Sequence, residues 1–121
     1  MSEGENKIEE KLRSAAIRIL ILLAQGNYKA LADLTEPGPA RLTDADIARA
    51  ANDYPGTMRL PRFNELVIDA VEVRGSSPRI FLVDTTVFTV EEGASDLTAR
   101  LEVIDGPDDD YELKFYDLLV K

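Results

Sequence analysis

The 121-residue chain contains no histidine, no cysteine and no tryptophan. Without histidine there is no Ser–His or Cys–His nucleophile pair, no imidazole to shuttle protons near neutrality, and no His-ligated zinc or iron. Without cysteine there is no thiolate nucleophile, iron–sulfur cluster, zinc ribbon or disulfide. Any catalysis falls to carboxylates, Tyr, Lys, Arg or backbone groups. Long apolar runs are missing too: the longest, Ile19 to Ala24, is far below the ~20 residues that span a bilayer. Met1 to Asn6 are small and polar, unlike a secretory signal. The expectation is a cytoplasmic protein with no membrane partner.

Basic residues are scarce, 14 Lys and Arg against 23 Asp and Glu, for a net charge of −9. Phosphate contacts need clustered Lys and Arg, so no nucleic-acid partner is expected. The acidity is also uneven. Residues 1–60 hold 8 basic and 9 acidic side chains, whereas 61–121 hold 6 and 14. The acidic half reads either as a solvated surface that aids solubility or as a patch for a basic partner. A 45% apolar, 31% charged composition is ordinary for a globular chain, and one domain of this length buries roughly two-thirds of its unfolded surface. The sequence divides into a flexible segment 1–7 and one domain, 8–121.

Apolar residues at Ile8, Leu12, Ala15, Ala16, Ile19, Leu20, Leu22 and Leu23 follow the spacing of a helix with one wide buried stripe, ending at Gly26. Asn27 is placed to cap a short helix, Tyr28 to Leu34, which Pro37-Gly38-Pro39 stops. Thr43 starts a third helix that runs to about Asp53, with acidic residues at the positive end of its dipole. Tyr54-Pro55-Gly56 marks a turn before a short edge strand, Thr57 to Leu60.

After Pro61 the period becomes two. Leu66 to Val73, Arg79 to Val90, Asp96 to Ile104 and Tyr111 to Val120 read as strands joined by short, turn-rich connections, and short connections join antiparallel neighbours. The predicted fold is α+β: N-terminal helices on a curved four- to five-stranded antiparallel meander. Setting Val87 opposite Ala99, Val83 opposite Val103 and Val103 opposite Tyr111 gathers Phe81, Val83, Thr85, Leu97, Leu101, Leu113 and Phe115 on the helix-covered face. The other face then carries Asp84, Thr86, Thr98, Arg100, Glu102, Glu112 and Lys114, with opposite charges on the diagonals Arg100–Asp84 and Lys114–Glu102. Ile80, Leu82, Phe88, Val90 and Ile104 point the same way. Such a half-apolar outer face suits a homodimer interface or a protein partner, unless loops or helix ends cover it.

The candidate polar site comprises Asp69, Asp84, Arg100 and Tyr111. Asp69 interrupts the apolar run Leu66 to Val71, and its strand has two registers. With Ala70 opposite Val83, Asp69 joins Asp84 on the outer face; shifted by one residue it enters the core, where burial would suit it to proton abstraction with Tyr111 or Tyr54 as hydrogen-bond donor. The outer placement satisfies the patterning better, since it keeps Leu66, Ile68 and Ala70 inward. Asp105-Gly106-Pro107-Asp108-Asp109-Asp110 is rich in hard-cation ligands but lacks the order of an EF-hand loop, and turn chemistry accounts for it. Arg59 and Arg62, beside Phe63, are candidate anion binders or simply solvated arginines. Gly75 and Gly93 are hairpin residues, and no G-x-G-x-x-G or P-loop spacing points to a nucleotide. No cofactor and no metal is expected.

The long helix, Gly26-Asn27-Tyr28-Lys29-Ala30-Leu31, a third helix and an antiparallel meander resemble the nuclear transport factor 2-like, cystatin-like superfamily. Ser95-Asp96-Leu97-Thr98 at a strand start also resembles small uncharacterised bacterial proteins of the same layout. The resemblance implies a cone-shaped interior able to hold a ligand and, in many members, dimerisation through the outer sheet face. It transfers no catalytic motif, and lack of His excludes the His-dependent members. The leading expectation is a non-enzymatic acidic interaction module, with an immunity-type role against a basic toxin as one form. The alternative is a small-molecule binder or isomerase/lyase using a cone pocket. Fold analogy alone does not choose between them.

Overall fold

A computed structural model describes residues 3–35 and 41–120; the predicted Pro37-Gly38-Pro39 stop lies outside the described residues. Helix α1, Glu3–Ala24, buries Ile8, Leu12, Ala15, Ala16, Ile19, Leu20 and Leu23 along one stripe. It starts five residues before Ile8, so residues 3–7 belong to the helix. The apolar stripe begins only at Ile8, and a polar first turn leaves no periodicity to read. Gly26 ends the helix with φ of 69°, a left-handed conformation natural to glycine, and the Asn27 N–H donates to the Leu22 carbonyl at 2.9 Å. Asn27 then caps α2, Tyr28–Asp33, its Oδ1 accepting from the Ala30 N–H. Helix α3, Asp44–Asp53, opens with a reciprocal box: Asp46 N–H donates to Thr43 Oγ1 and Thr43 N–H to Asp46 Oδ2, each at 3.1 Å. Among the described residues no helix is long and apolar enough to cross a membrane.

Five antiparallel strands follow: β1 Met58–Arg59, β2 Ile68–Glu72, β3 Ile80–Thr89, β4 Gly93–Asp105 and β5 Tyr111–Val120. Their order is β1-β3-β4-β5, with β2 also pairing with β3 on the β1 side. The fold is α+β, with the helices on one face of an open sheet. Between the layers lie Phe81, Val83, Val87, Leu97, Ala99, Leu101, Val103, Leu113 and Phe115, packed with the α1 stripe, Leu31 and Ile47.

Face assignments hold through the middle of the sheet, but the register differs from the expected one by two residues. Val83 faces Leu101 and Thr85 faces Ala99, while Val103 faces Leu113 rather than Tyr111. A shift of two keeps every side chain on its face, so hydrophobic patterning is blind to it. The physical cause is a tighter hairpin. Gly93, at φ 74°, pairs with Thr89, and the Glu92 N–H donates to Thr89 Oγ1. The extra residues are taken up by a bulge between Thr86 and Phe88, where Ser95 Oγ donates to the Val87 carbonyl at 2.6 Å. A second bulge, between Arg100 and Leu101, places Tyr116 as an extra residue on β5. Consequently Arg100 lies directly opposite Asp84, and Glu102 opposite Lys114, not on diagonals.

Two expectations of burial also change. Phe88 is 4% exposed: β1 pairs Arg59 with it, and the Arg59 guanidinium lies 5.1 Å from its ring centroid. Ala70 is exposed although its register is the expected one, because β2 is an edge strand.

One buried charge ties the layers together. Lys11, 7% exposed, donates from Nζ to Asp105 Oδ1 and, at 3.0 Å, to the Gly106 carbonyl, fastening α1 to the β4–β5 hairpin. Removing one partner leaves a charge in a poor environment, though Asp105 keeps some solvent access. Asp105→Ala is therefore expected to lower stability by about 2 kcal/mol, and adding Lys11→Met to recover part of that loss, read by urea denaturation. Phe115→Ala, at the centre of the filled interior, is expected to cost about 3–5 kcal/mol in the same measurement.

Candidate functional site

The outer sheet face is built by alternation: each strand that turns an apolar residue toward the helices turns the next one away from them. Pairing then sets Asp69, Asp84, Arg100 and Asp117 in one row across β2, β3, β4 and β5. Asp84 and Arg100 form a two-pronged pair, with Nε to Oδ1 at 2.8 Å and Nη2 to Oδ2 at 3.0 Å. The Asp84 hydrogen bond and charge, with Asp117 adding to them, hold the guanidinium above its ordinary pKa. A second row sets Val71, Leu82, Glu102 and Lys114 side by side, with the Tyr116 hydroxyl donating to Glu102 Oε1 at 2.9 Å. Val71 is 64% exposed, Tyr116 40% and Leu82 37%. Three carboxylates and one arginine in a row, bordered by exposed apolar side chains, form a face suited to recognition.

Of the four sequence-predicted residues, Asp69, Asp84 and Arg100 come together here. Tyr111 does not. It points to the helix side, where its hydroxyl lies 3.0 Å from Ser14 Oγ and accepts from Arg18 Nη1 at 3.3 Å. Tyr54 is also elsewhere, donating to Glu92 Oε1 and accepting from the Asp96 N–H. Asp69 is exposed, so the proton-abstraction arrangement has neither its burial nor its donors. Arg59 is engaged by Glu65 and stacked on Phe88, and the Arg62 N–H donates to Glu65 Oε1 at 2.8 Å. The 105–110 segment is a turn: the Asp110 N–H donates to the Pro107 carbonyl, and Asp108 takes φ of 52°. Among the described residues, no three Asp or Glu side chains are grouped as metal ligands.

Tyr116 and Asp117 were missed as members of the face. The signal was present: Leu113 and Phe115 alternate, then Leu118 rather than residue 117 is apolar, and that slip of one residue marks the bulge.

A family model matches residues 20–121, described as Domain of unknown function (DUF7668). The chain belongs to the DUF7668 family. The match covers the end of α1, both shorter helices and the entire sheet, and so the whole outer row; Lys11, Ser14 and Arg18 precede it. No curated protein and no solved structure matches the chain.

Several carboxylates titrate below their ordinary values. Glu65 is lowered chiefly by its bond from Arg59, Glu72 by Arg79, Glu91 by the Thr57 backbone N–H, and Asp46 by the Thr43 backbone N–H. A folded-state pKa below the unfolded one gives stability that is present above the ordinary glutamate value of 4.5 and is lost as pH falls through the lowered values. The melting temperature is therefore expected to be flat above that pH and to drop below it. The combined variant Glu65→Gln, Glu72→Gln and Glu91→Gln should make the acid limb shallower, as measured by thermal unfolding across pH.

Proposed function

We propose that the chain is a non-enzymatic, acidic interaction module that binds a protein partner, or a second copy of itself, through the outer face of its sheet. The observation that carries the reading is the row Asp69–Asp84–Arg100–Asp117 lying beside exposed Val71, Leu82 and Tyr116 on the face opposite the helices. Asp84 and Arg100 hold each other in place while Val71 and Leu82 remain exposed, which is how a recognition surface differs from a merely soluble one. The concentration of carboxylates in residues 61–121 favours a basic partner, and an immunity-type role against a basic toxin is one form this takes. The order of helices and antiparallel strands also supports kinship with the nuclear transport factor 2-like layout, in which the outer sheet face is a common interface. On this reading the protein works in the cytoplasm.

A second reading, a small-molecule binder or isomerase/lyase, is favoured by one feature. A groove of about 710 Å³ runs along α1, lined by Arg13, Ser14, Ile17, Arg18 and Leu66, with the Tyr111 hydroxyl bonded to its rim. A carboxylic acid that raises the melting temperature of the wild type but not of Arg18→Ala would favour this reading.

The interaction reading is tested with Leu82→Glu, which changes an exposed position and leaves the core intact. If the wild type is a dimer by light scattering, Leu82→Glu should be a monomer. If the wild type is a monomer, a protein retained from its own cell lysate should be lost on the variant. Equal retention by both, with a monomeric wild type, overturns the proposal.

A further inference from the structure

We infer that the open edge of β2 accepts an extended segment of a partner protein, with alternating basic and apolar residues, as an additional strand. This deepens the interaction reading and rests on it, but it places the contact at the sheet edge rather than on the flat of the face.

The hydrogen-bond phase of β2 is fixed by its end. The Val73 N–H donates to the Ile80 carbonyl at 2.8 Å, so residues 69, 71 and 73 direct their backbone groups toward β3. Ile68, Ala70 and Glu72 therefore present their N–H and C=O groups outward. Among the described residues, no hydrogen bond reaches these outward groups. The opposite edge is different: on β5 the Phe115 N–H donates to the Leu34 carbonyl at 3.0 Å, so the end of α2 occupies that edge. The sheet thus has one edge met at Phe115 by its own chain and one offered to a visitor.

Exposed edges are blunted by short length, by charged side chains, Lys above all, and by Pro or a bulge. Ile68–Glu72 contains neither Lys nor Pro and pairs with β3 without a register break. Its charges are carboxylates, and they select the visitor. Glu72 is held by Arg79, at 2.8 and 2.9 Å. Asp69 lies directly opposite Asp84 and makes no ion pair among the described residues. A second β2 laid antiparallel would bring two further carboxylates to this narrow edge, an arrangement that like-charge repulsion opposes. A Lys or Arg beside Asp69 is favoured instead. On the helix side, exposed Ala70 is small and Ile68 is half-buried, so the alternate residues of the incoming strand meet an apolar shelf continuous with Leu66 and the α1 groove. Basic residues outward and apolar residues inward are the two-residue period that an added strand requires.

The probe is the synthetic peptide acetyl-Lys-Val-Lys-Val-Lys-Val-Lys-amide, titrated into the full ¹⁵N-labelled chain and followed by backbone shifts and amide exchange. Binding is expected to slow exchange at Ile68, Ala70 and Glu72. Asp69→Lys should weaken binding about tenfold. Ala70→Pro removes an outward donor without touching the β2–β3 ladder, and should abolish binding while leaving the remaining spectrum folded. No binding, equal binding of a Glu-Val counterpart, or unchanged binding to Ala70→Pro overturns the inference. So does concentration-dependent protection of the three amides without peptide, since the occupant is then a second copy. Shifts confined to Leu82, Ile104 and Tyr116 overturn the edge site while sparing the outer-face reading. Edge binding by a chain whose Leu82→Glu variant keeps every partner does the reverse.

Discussion

The pairing of β3 with β4 is the interaction on which the rest of the molecule depends. Phe81, Val83 and Thr85 lie opposite Val103, Leu101 and Ala99, and this inward block receives the α1 stripe, where Ala15, Ala16 and Ile19 are fully buried. Two small residues in that stripe let the helix approach closely, and the branched side chains around them fill the space to the density of a protein interior. The hydroxyl of Thr85, in the middle of the block, is satisfied by the Val67 carbonyl at 2.7 Å, which anchors the start of β2. Once this block is in register, the outward residues have no freedom of placement: Asp84 must meet Arg100, and Asp69 must meet Asp84.

The bulges adjust that rule locally. At the first, Ser95 Oγ gives its proton to the Val87 carbonyl and accepts from the Leu97 N–H, replacing ladder bonds that the extra residues interrupt. At the second, Tyr116 is displaced from the ladder, its hydroxyl reaches Glu102, and Asp117 moves into line with Arg100. The apolar sequence answers with Leu118, which takes the inward place that residue 117 gives up. The charged row is thus a product of the irregularity: without the extra residue, Arg100 would face Tyr116 and the third carboxylate would point inward.

Much of the fold was legible because helix caps, turn glycines and alternation are local signals. Asn27, Thr43 with Asp46, and Gly26 each act within a few residues, and each acts as the sequence implies. The β2 register was legible as well, since a one-residue slip would have put Asp69 in the core and turned Leu66, Ile68 and Ala70 outward. A two-residue slip between β3 and β4 was not, because it costs nothing in patterning and depends on hairpin closure at Thr89 and Gly93. Lys11 was illegible for another reason. It sits at the border of the α1 stripe, and only the Asp105–Gly106 hairpin, distant in sequence, makes its burial tolerable. Tyr111 belongs to the candidate site only as a hydrogen-bond donor for a buried Asp69; it lies on the helix side, opposite Asp105, while Asp69 lies on the outer face.

The charge of the sheet half is therefore less of a patch than its total suggests. Asp84 is engaged by Arg100, Glu65 by Arg59, Glu72 by Arg79, Asp105 by Lys11, and Glu91 by the Thr57 backbone. These carboxylates hold strands, turns and layers together, and a partner would have to compete with short-range bonds to use them. Those at the 108–110 turn sit at a hairpin tip, where water screens them well. Asp69 differs in kind, since it combines a charge unengaged among the described residues with the sheet edge at which backbone donors and acceptors face outward. Electrostatics brings a basic chain toward this half of the molecule from any direction, and at β2 the same approach also completes a hydrogen-bond ladder. The coincidence of those two requirements at one strand gives a diffuse negative charge a direction.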